Sequence, residues 1–162
     1  MAKIGRKYLA HFINATAPGA QPSTAEYERL GKDLDEFKPE LSAEVEKKTN
    51  IIGESSIMIP SYEKTASVEP YYAEVGSKLF DRLQAIIDDA LILDDLLTDV
   101  VDVKLWEKDT EGVYPAIREE AYIEVTSYGG DTTGYQIPFT LHYTGKKTKG
   151  TFDLNQRTFT AS

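Results

Sequence analysis

The sequence predicts a mainly β fold: a β-sandwich or partly open barrel with one flanking α-helix, an extended N-terminal arm and a projecting β-hairpin. Three observations carry this expectation. Short runs of alternating apolar and polar residues recur through the second half of the chain. One segment alone, 77–93, has apolar residues at helical spacing. A third stretch, from Leu41 to Ile59, alternates like a strand pair but is too polar for a core hairpin. With 162 residues, the chain suits one domain able to bury an ordinary core. A hydrophobic content of 41% excludes a disordered chain.

In chain order, residues 1–24 read as an arm. Ala15 to Thr24 is small, polar and proline-bearing, with nothing periodic to bury. Tyr8, Leu9, Phe12 and Ile13 precede it and could bind a surface on the chain or on a neighbour. Residues 25–162 form the domain, and Tyr27 to Phe37 opens it as a short strand or turn. Residues 41–62 form the hairpin. Leu41, Ala43, Val45, Lys47, Thr49 and Ile51 fall on one side, and Ile57 and Ile59 follow the break at Gly53-Glu54. Such a polar hairpin projects into water or meets a partner.

The helix carries Leu79, Phe80, Leu83, Ile86 and Ile87 on one stripe, with Asp81, Arg82, Asp88 and Asp89 elsewhere on the wheel. Ser77 is its expected N-cap, although no capping-box glutamate follows. Val101, Val103 and Leu105 then alternate with Asp102 and Lys104, and Ala121, Ile123 and Val125 with Tyr122 and Glu124. Phe139, Leu141 and Tyr143 make a third such run. Gly129-Gly130-Asp131 and Gly145-Lys146-Lys147 mark turns, and Thr151 to Leu154 and Thr158 to Thr160 close the chain as short strands.

Charge is unevenly placed. The net is −9 overall; residues 71–131 carry 5 basic and 15 acidic groups, whereas residues 132–162 carry 4 basic and 1 acidic. That balance lacks the cationic surplus a DNA-gripping protein needs. There is no cysteine, hence no disulfide, thiolate metal site or cysteine nucleophile. No apolar run follows the basic start, so no signal peptide is expected, and aspartates interrupt the most apolar stretch, so no membrane insertion is either.

Constellations for chemistry are weak. Of the two histidines, His11 and His142, the second could serve a serine triad, but Gly53-Glu54-Ser55-Ser56-Ile57 ends in isoleucine where a nucleophile elbow needs glycine. Gly145-Lys146-Lys147-Thr148 carries an extra lysine and lacks the upstream glycine of a phosphate loop; it reads as a basic hairpin turn. Asp88, Asp89, Asp94, Asp95, Asp99 and Asp102 are irregularly spaced, with no glycine between Gly76 and Gly112 to make a calcium loop. No cofactor, metal or catalytic residue is therefore expected, and the chain is not expected to be an enzyme.

A resemblance goes further. The segments Tyr27-Glu28-Arg29-Leu30-Gly31-Lys32-Asp33-Leu34-Asp35-Glu36-Phe37, Asn50-Ile51-Ile52-Gly53-Glu54, Ser67-Val68-Glu69-Pro70-Tyr71-Tyr72-Ala73 and Tyr128 to Phe139 occur in one order and spacing. Together they resemble the major tail-tube proteins of long-tailed bacteriophages of Gram-positive bacteria, from about residue 25 to the C-terminus. The resemblance implies a structural virion protein, located in the tail after assembly in the host cytoplasm. Six copies would form a ring, and stacked rings the tube through which DNA is ejected without specific binding. Tape-measure and tail-terminator proteins would be its other partners. Four strands per subunit would line a barrel roughly 40 to 50 Å across.

On this expectation the arm and hairpin stack the rings, through Tyr8, Phe12, Lys47, Lys48, Asn50 and Ile52. Asp102 and Glu124, alternating with core residues, face the lumen and repel phosphates. The competing classes are a β-sandwich binding module (an adhesin or carbohydrate binder), with Tyr122, Tyr128 and Tyr135 clustered at a ligand face, and an enzyme with a pocket of perturbed groups.

Overall fold

A computed structural model describes residues 1–16, 25–107 and 111–162. The chain runs β1 (Leu9–Asn14), β2 (Tyr27–Leu30), β3 (Ala43–Thr49), β4 (Ser55–Tyr62), β5 (Thr65–Val68), α1 (Lys78–Asp89), β6 (Leu97–Lys104), β7 (Val113–Val125), β8 (Gly129–Asp131), β9 (Gly134–Gln136), β10 (Phe139–Asp153) and β11 (Thr158–Ala161). The fold is mainly β, with one α-helix on a sheet curled into a half-barrel. Seven antiparallel strands make that sheet in the order β11–β10–β7–β6–β1–β2, and β5 pairs with β10. The pairs β3–β4 and β8–β9 stand apart as two small ribbons.

Long strands set the curl. β10 runs fifteen residues against β7, and their register shifts between Tyr143 and Lys147. Gly145 sits in this interval at φ 87, a backbone setting that glycine takes without a Cβ penalty. The bulge bends the strand, so its first half pairs with β5 and its second with β11. At Gly150 a Cβ would lie 2.1 Å from the carbonyl oxygen of Thr160, so only glycine allows β11 to pair there. The expected turn at Gly145-Lys146-Lys147 is thus a bulge inside a continuous strand, because the sheet bends there and does not reverse.

Each face of the sheet carries a core. Ile13, Val100, Ala121, Ile123, Phe139 and Leu141 pack under the helix residues Leu79, Leu83 and Ile86 on the first face. Ala10, Phe12, Tyr27, Val101, Val103, Ala116 and Phe152 fill the second. Leu9–Asn14 is therefore an interior strand, hydrogen-bonded between β2 and β6, and not part of an arm. Burial on both faces removes the alternation that marks a strand exposed on one side. Residues 17–24, the rest of the expected arm, lie outside the described residues.

The helix starts where expected. Ser77 Oγ accepts from the Phe80 N–H at 3.3 Å, and Glu28 of β2 accepts from the N–H groups of Lys78 and Leu79 at 3.0 and 3.3 Å. The missing capping-box carboxylate is thus supplied from another strand. The helix ends at Asp89, four residues before the expected boundary, because Ala90 takes a left-handed conformation and its N–H returns to the Ile86 carbonyl. Phe80 and Ile87 are half-buried against the same core.

Arg82 departs from the expected solvent face: it is buried, with Nη1 donating to the Asn14 carbonyl at 3.3 Å and Nη2 to that of Leu97. Leu83, fully buried beside it, makes a direct test of the core. Leu83→Ala is expected to destabilise the fold by about 2–5 kcal/mol through lost burial and a residual cavity, read as a lower urea midpoint at unchanged slope.

Candidate assembly surfaces

The hairpin β3–β4 is exposed along its whole length, every residue of both strands included. It joins the body through mutual backbone hydrogen bonds between Glu40 and Thr65, at 2.7 and 2.9 Å. Its tip is ordered by Asn50, whose Oδ1 accepts from the N–H groups of Ile52 and Glu54 at 3.1 and 2.9 Å. Gly53 completes the turn at φ 87. Ile51 and Ile52 are thereby held out in water, with Val45, Ile57, Ile59 and Tyr62 also exposed along the arms. Lys47, Lys48, Asn50 and Ile52 lie together on this one element. Tyr8 is also exposed, but on a separate element directly before β1, where its carbonyl accepts from the Leu105 N–H.

Phe12 does not belong with them. It is 3% exposed and packs on Phe152 with ring centroids 4.5 Å apart, so its place in a stacking surface is corrected to a place in the second core.

Asp102 and Glu124 lie on opposite faces of the sheet, which corrects their expected pairing on one wall. Asp102 shares the helix-covered face with Val100, since alternate residues of a strand point the same way. It bonds there to His11 Nδ1 at 2.6 Å. Glu124 lies on the other face, exposed, with His142 Nε2 at 2.7 Å. The cause is that β6 is packed on both faces, so Asp102, alternating with Val101 and Val103, is only partly exposed and meets His11. Tyr135 packs edge-on to Phe80 and donates to Gln84, whereas Tyr122 shares the face of Glu124, so these tyrosines form no common ligand face.

Three polar clusters went unread in the sequence. Arg6 donates to the carbonyls of Leu9 and Phe37 at 2.7 and 2.9 Å and lies 2.9 Å from His11 Nε2. His11 thus has both ring nitrogens engaged, and with Arg6 donating at Nε2 its Nδ1–H points at Asp102. On the second face buried Asp99 accepts from Asn14 Nδ2 at 2.9 Å, from Arg118 Nε at 3.0 Å and from the Tyr27 hydroxyl. Nearby on the first face, Lys64 Nζ meets buried Glu119 at 2.7 Å and stands 4.4 Å over the ring of Tyr143. Each cluster joins segments 19 to 91 residues apart, a relation that no local spacing encodes.

Beside the first cluster lies a cleft of about 480 Å³ whose lining includes Arg6, Lys7, Arg29, Lys32, Leu9 and Leu34, with Asp35 as its acidic member. Among the described residues no three histidine, aspartate or glutamate side chains gather as a metal cage. Among them, too, no helix is long and apolar enough to cross a membrane. Set against known proteins, the sequence matches no protein-family model and no curated protein.

The tyrosines of these clusters report on their surroundings. Burial pushes the Tyr27 phenol well above its ordinary value, with neighbouring Asp99 adding to the effect. Burial does the same for Tyr143, followed by Asp102 and Glu119. The native state therefore keeps protons that the unfolded chain gives up near pH 10. Stability is expected to be complete below about pH 10 and to fall as pH rises beyond it, since the unfolded state then binds fewer protons.

Urea midpoints between pH 8 and 11 will show this, with a shallower decline in a Tyr27→Phe, Tyr143→Phe double variant. At neutral pH the single changes should diverge. Tyr27→Phe removes a donor from a buried carboxylate and costs about 1.5–3 kcal/mol. The Tyr143 hydroxyl is buried with no partner among the described residues, so Tyr143→Phe should leave stability equal or higher.

Proposed function

We propose that this chain is the structural subunit of a bacteriophage tail tube, assembling with copies of itself into rings that stack into the conduit for DNA. The observation that carries this reading is the hairpin. A two-stranded hairpin is marginally stable alone in water, and this one presents several aliphatic side chains and an ordered tip to solvent. Exposed apolar side chains on a projecting element are a feature of contact surfaces. A copy of the same chain is the natural partner under the resemblance drawn from the sequence. The curled sheet suits a wall segment, and its open face with Tyr122, Glu124, Thr140 and His142 is the candidate lumen lining. Asp102 takes no part in that lining. The subunit carries no catalytic role in this reading, and tape-measure and terminator proteins complete its partners in the virion.

Purified protein is expected to form rings or tubes at high concentration, seen by negative-stain microscopy and by concentration-dependent sedimentation. Replacing 47–52 with a short glycine–serine turn should abolish tube growth while the circular dichroism spectrum and thermal midpoint stay near those of the parent. A wild-type chain that remains monomeric across a wide concentration range would overturn the reading. A loop-replaced chain that still polymerises would remove the hairpin from the contact. A β-sandwich binding module would stay monomeric and bind a glycan.

A further inference from the structure

Strand β6 ends in opposite charge. Its first residue, Leu97, follows directly on a short 3₁₀ turn, Leu93–Leu96, that continues from the end of α1. Asp88, Asp89, Asp94 and Asp95 are all exposed there, and Ile92 and Leu93 stand in water between them at 66% and 75% exposure. The last turn of α1 has no basic residue, so the negative end of the helix dipole adds to the same field. None of these four aspartates has a cationic partner among the described residues: the salt bridges of this chain lie elsewhere.

At the other end of β6, Lys104 pairs with Leu9, beside the basic cleft. Within that cleft Lys32 is paired with Glu74, and Arg6 is tied to the backbone, whereas Lys7 and Arg29 have no carboxylate partner among the described residues. Leu9 and Leu34 supply apolar lining between the charges. The eight residues of β6 set the two features roughly 25 Å apart, on opposite ends of one rigid strand.

We propose that these are the two halves of one head-to-tail contact: the acidic, aliphatic corner 88–95 of one copy seats in the basic cleft of the next. This rests on the self-assembly reading and identifies its second surface, apart from the hairpin. The match is double, aspartates to Lys7 and Arg29, and Ile92 and Leu93 to Leu9 and Leu34. A contact between two different patches of one chain is heterologous and, when the rotation closes, makes a ring in which every corner and every cleft is filled. A nucleic acid would satisfy the charges of the cleft but not its apolar lining, and a second copy satisfies both.

Charge exchange tests the contact. One variant carries Lys7→Glu and Arg29→Glu, and a second carries Asp94→Lys and Asp95→Lys; both are full-length. Each alone is expected to raise the concentration needed for assembly by at least about tenfold, the scale of a few exposed charge contacts turned repulsive. An equimolar mixture should recover assembly, because every contact between unlike variants again joins opposite charges, and an even-numbered ring can alternate them.

Circular dichroism and thermal midpoints establish that each variant is folded. Should either be unfolded, Lys7→Gln with Arg29→Gln and Asp94→Asn with Asp95→Asn replace them; each should then weaken assembly by a smaller factor. Normal assembly of the folded single variants, or no recovery on mixing, overturns the contact while leaving the tube reading intact. A wild type that never assembles overturns both. A cleft variant that assembles normally but loses affinity for a short DNA duplex would make the cleft a phosphate site and overturn the contact too.

Discussion

Val100 and Val101 are neighbours in sequence and both withdrawn from solvent, so β6 meets a packed layer on each of its faces. Much of the architecture follows from covering both sides of one strand. The helix closes the first side through Leu79, Leu83 and Ile86, while Phe12, Tyr27 and Phe152 close the second. A flat sheet with one helix could not do this. The bulge near Gly145 folds β10 and β11 round so that Phe152 reaches the second face, and β1 must enter the sheet to supply side chains to both layers. Burial of large apolar side chains at about 25 cal/mol per Å² is the dominant stabilising term, and here it acts twice over one strand.

Placing polar residues within such layers is costly unless each is paired. Asp99, Asp102 and Glu119 each meet that condition with a partner from another segment: Arg118 and Tyr27 for the first, His11 for the second, Lys64 for the third. Two groups within the acidic middle of the chain accordingly differ. One is buried or half-buried in the sheet and serves the register of its strands. The other, at 88–95, stays in water at the end of the helix. Of these two groups the second is free to meet a partner, which is why its charge bears on assembly although the aspartates look alike in sequence.

The hairpin stands outside this economy of burial. Its strands pair with each other and touch the body at Glu40 and Thr65, yet its tip is built with care: Asn50 and Gly53 set a defined turn that points two isoleucines outward. Order without burial on a projecting element is what a docking surface requires, because a preformed contact loses less conformational freedom when it binds.

By itself the sequence determined what is local and repeats: the mainly β class, the hairpin at 41–62, the Ser77 cap and the Leu79–Leu83–Ile86 stripe, since periodicity and capping act within a few residues. Arg82 was expected off that stripe, as a surface charge, yet its place three residues after Leu79 and four before Ile86 carries it to the buried face. Only the tertiary structure decided the rest. It drew Leu9–Asn14 into the sheet, where two-sided burial hides the alternation. It carried Glu28 across fifty residues to cap the helix, turned Phe12 inward, and put Asp102 and Glu124 on opposite faces. The physical reason is the same in each case: which face of a strand is dry depends on what the distant chain lays over it, and that is absent from the strand's own residues.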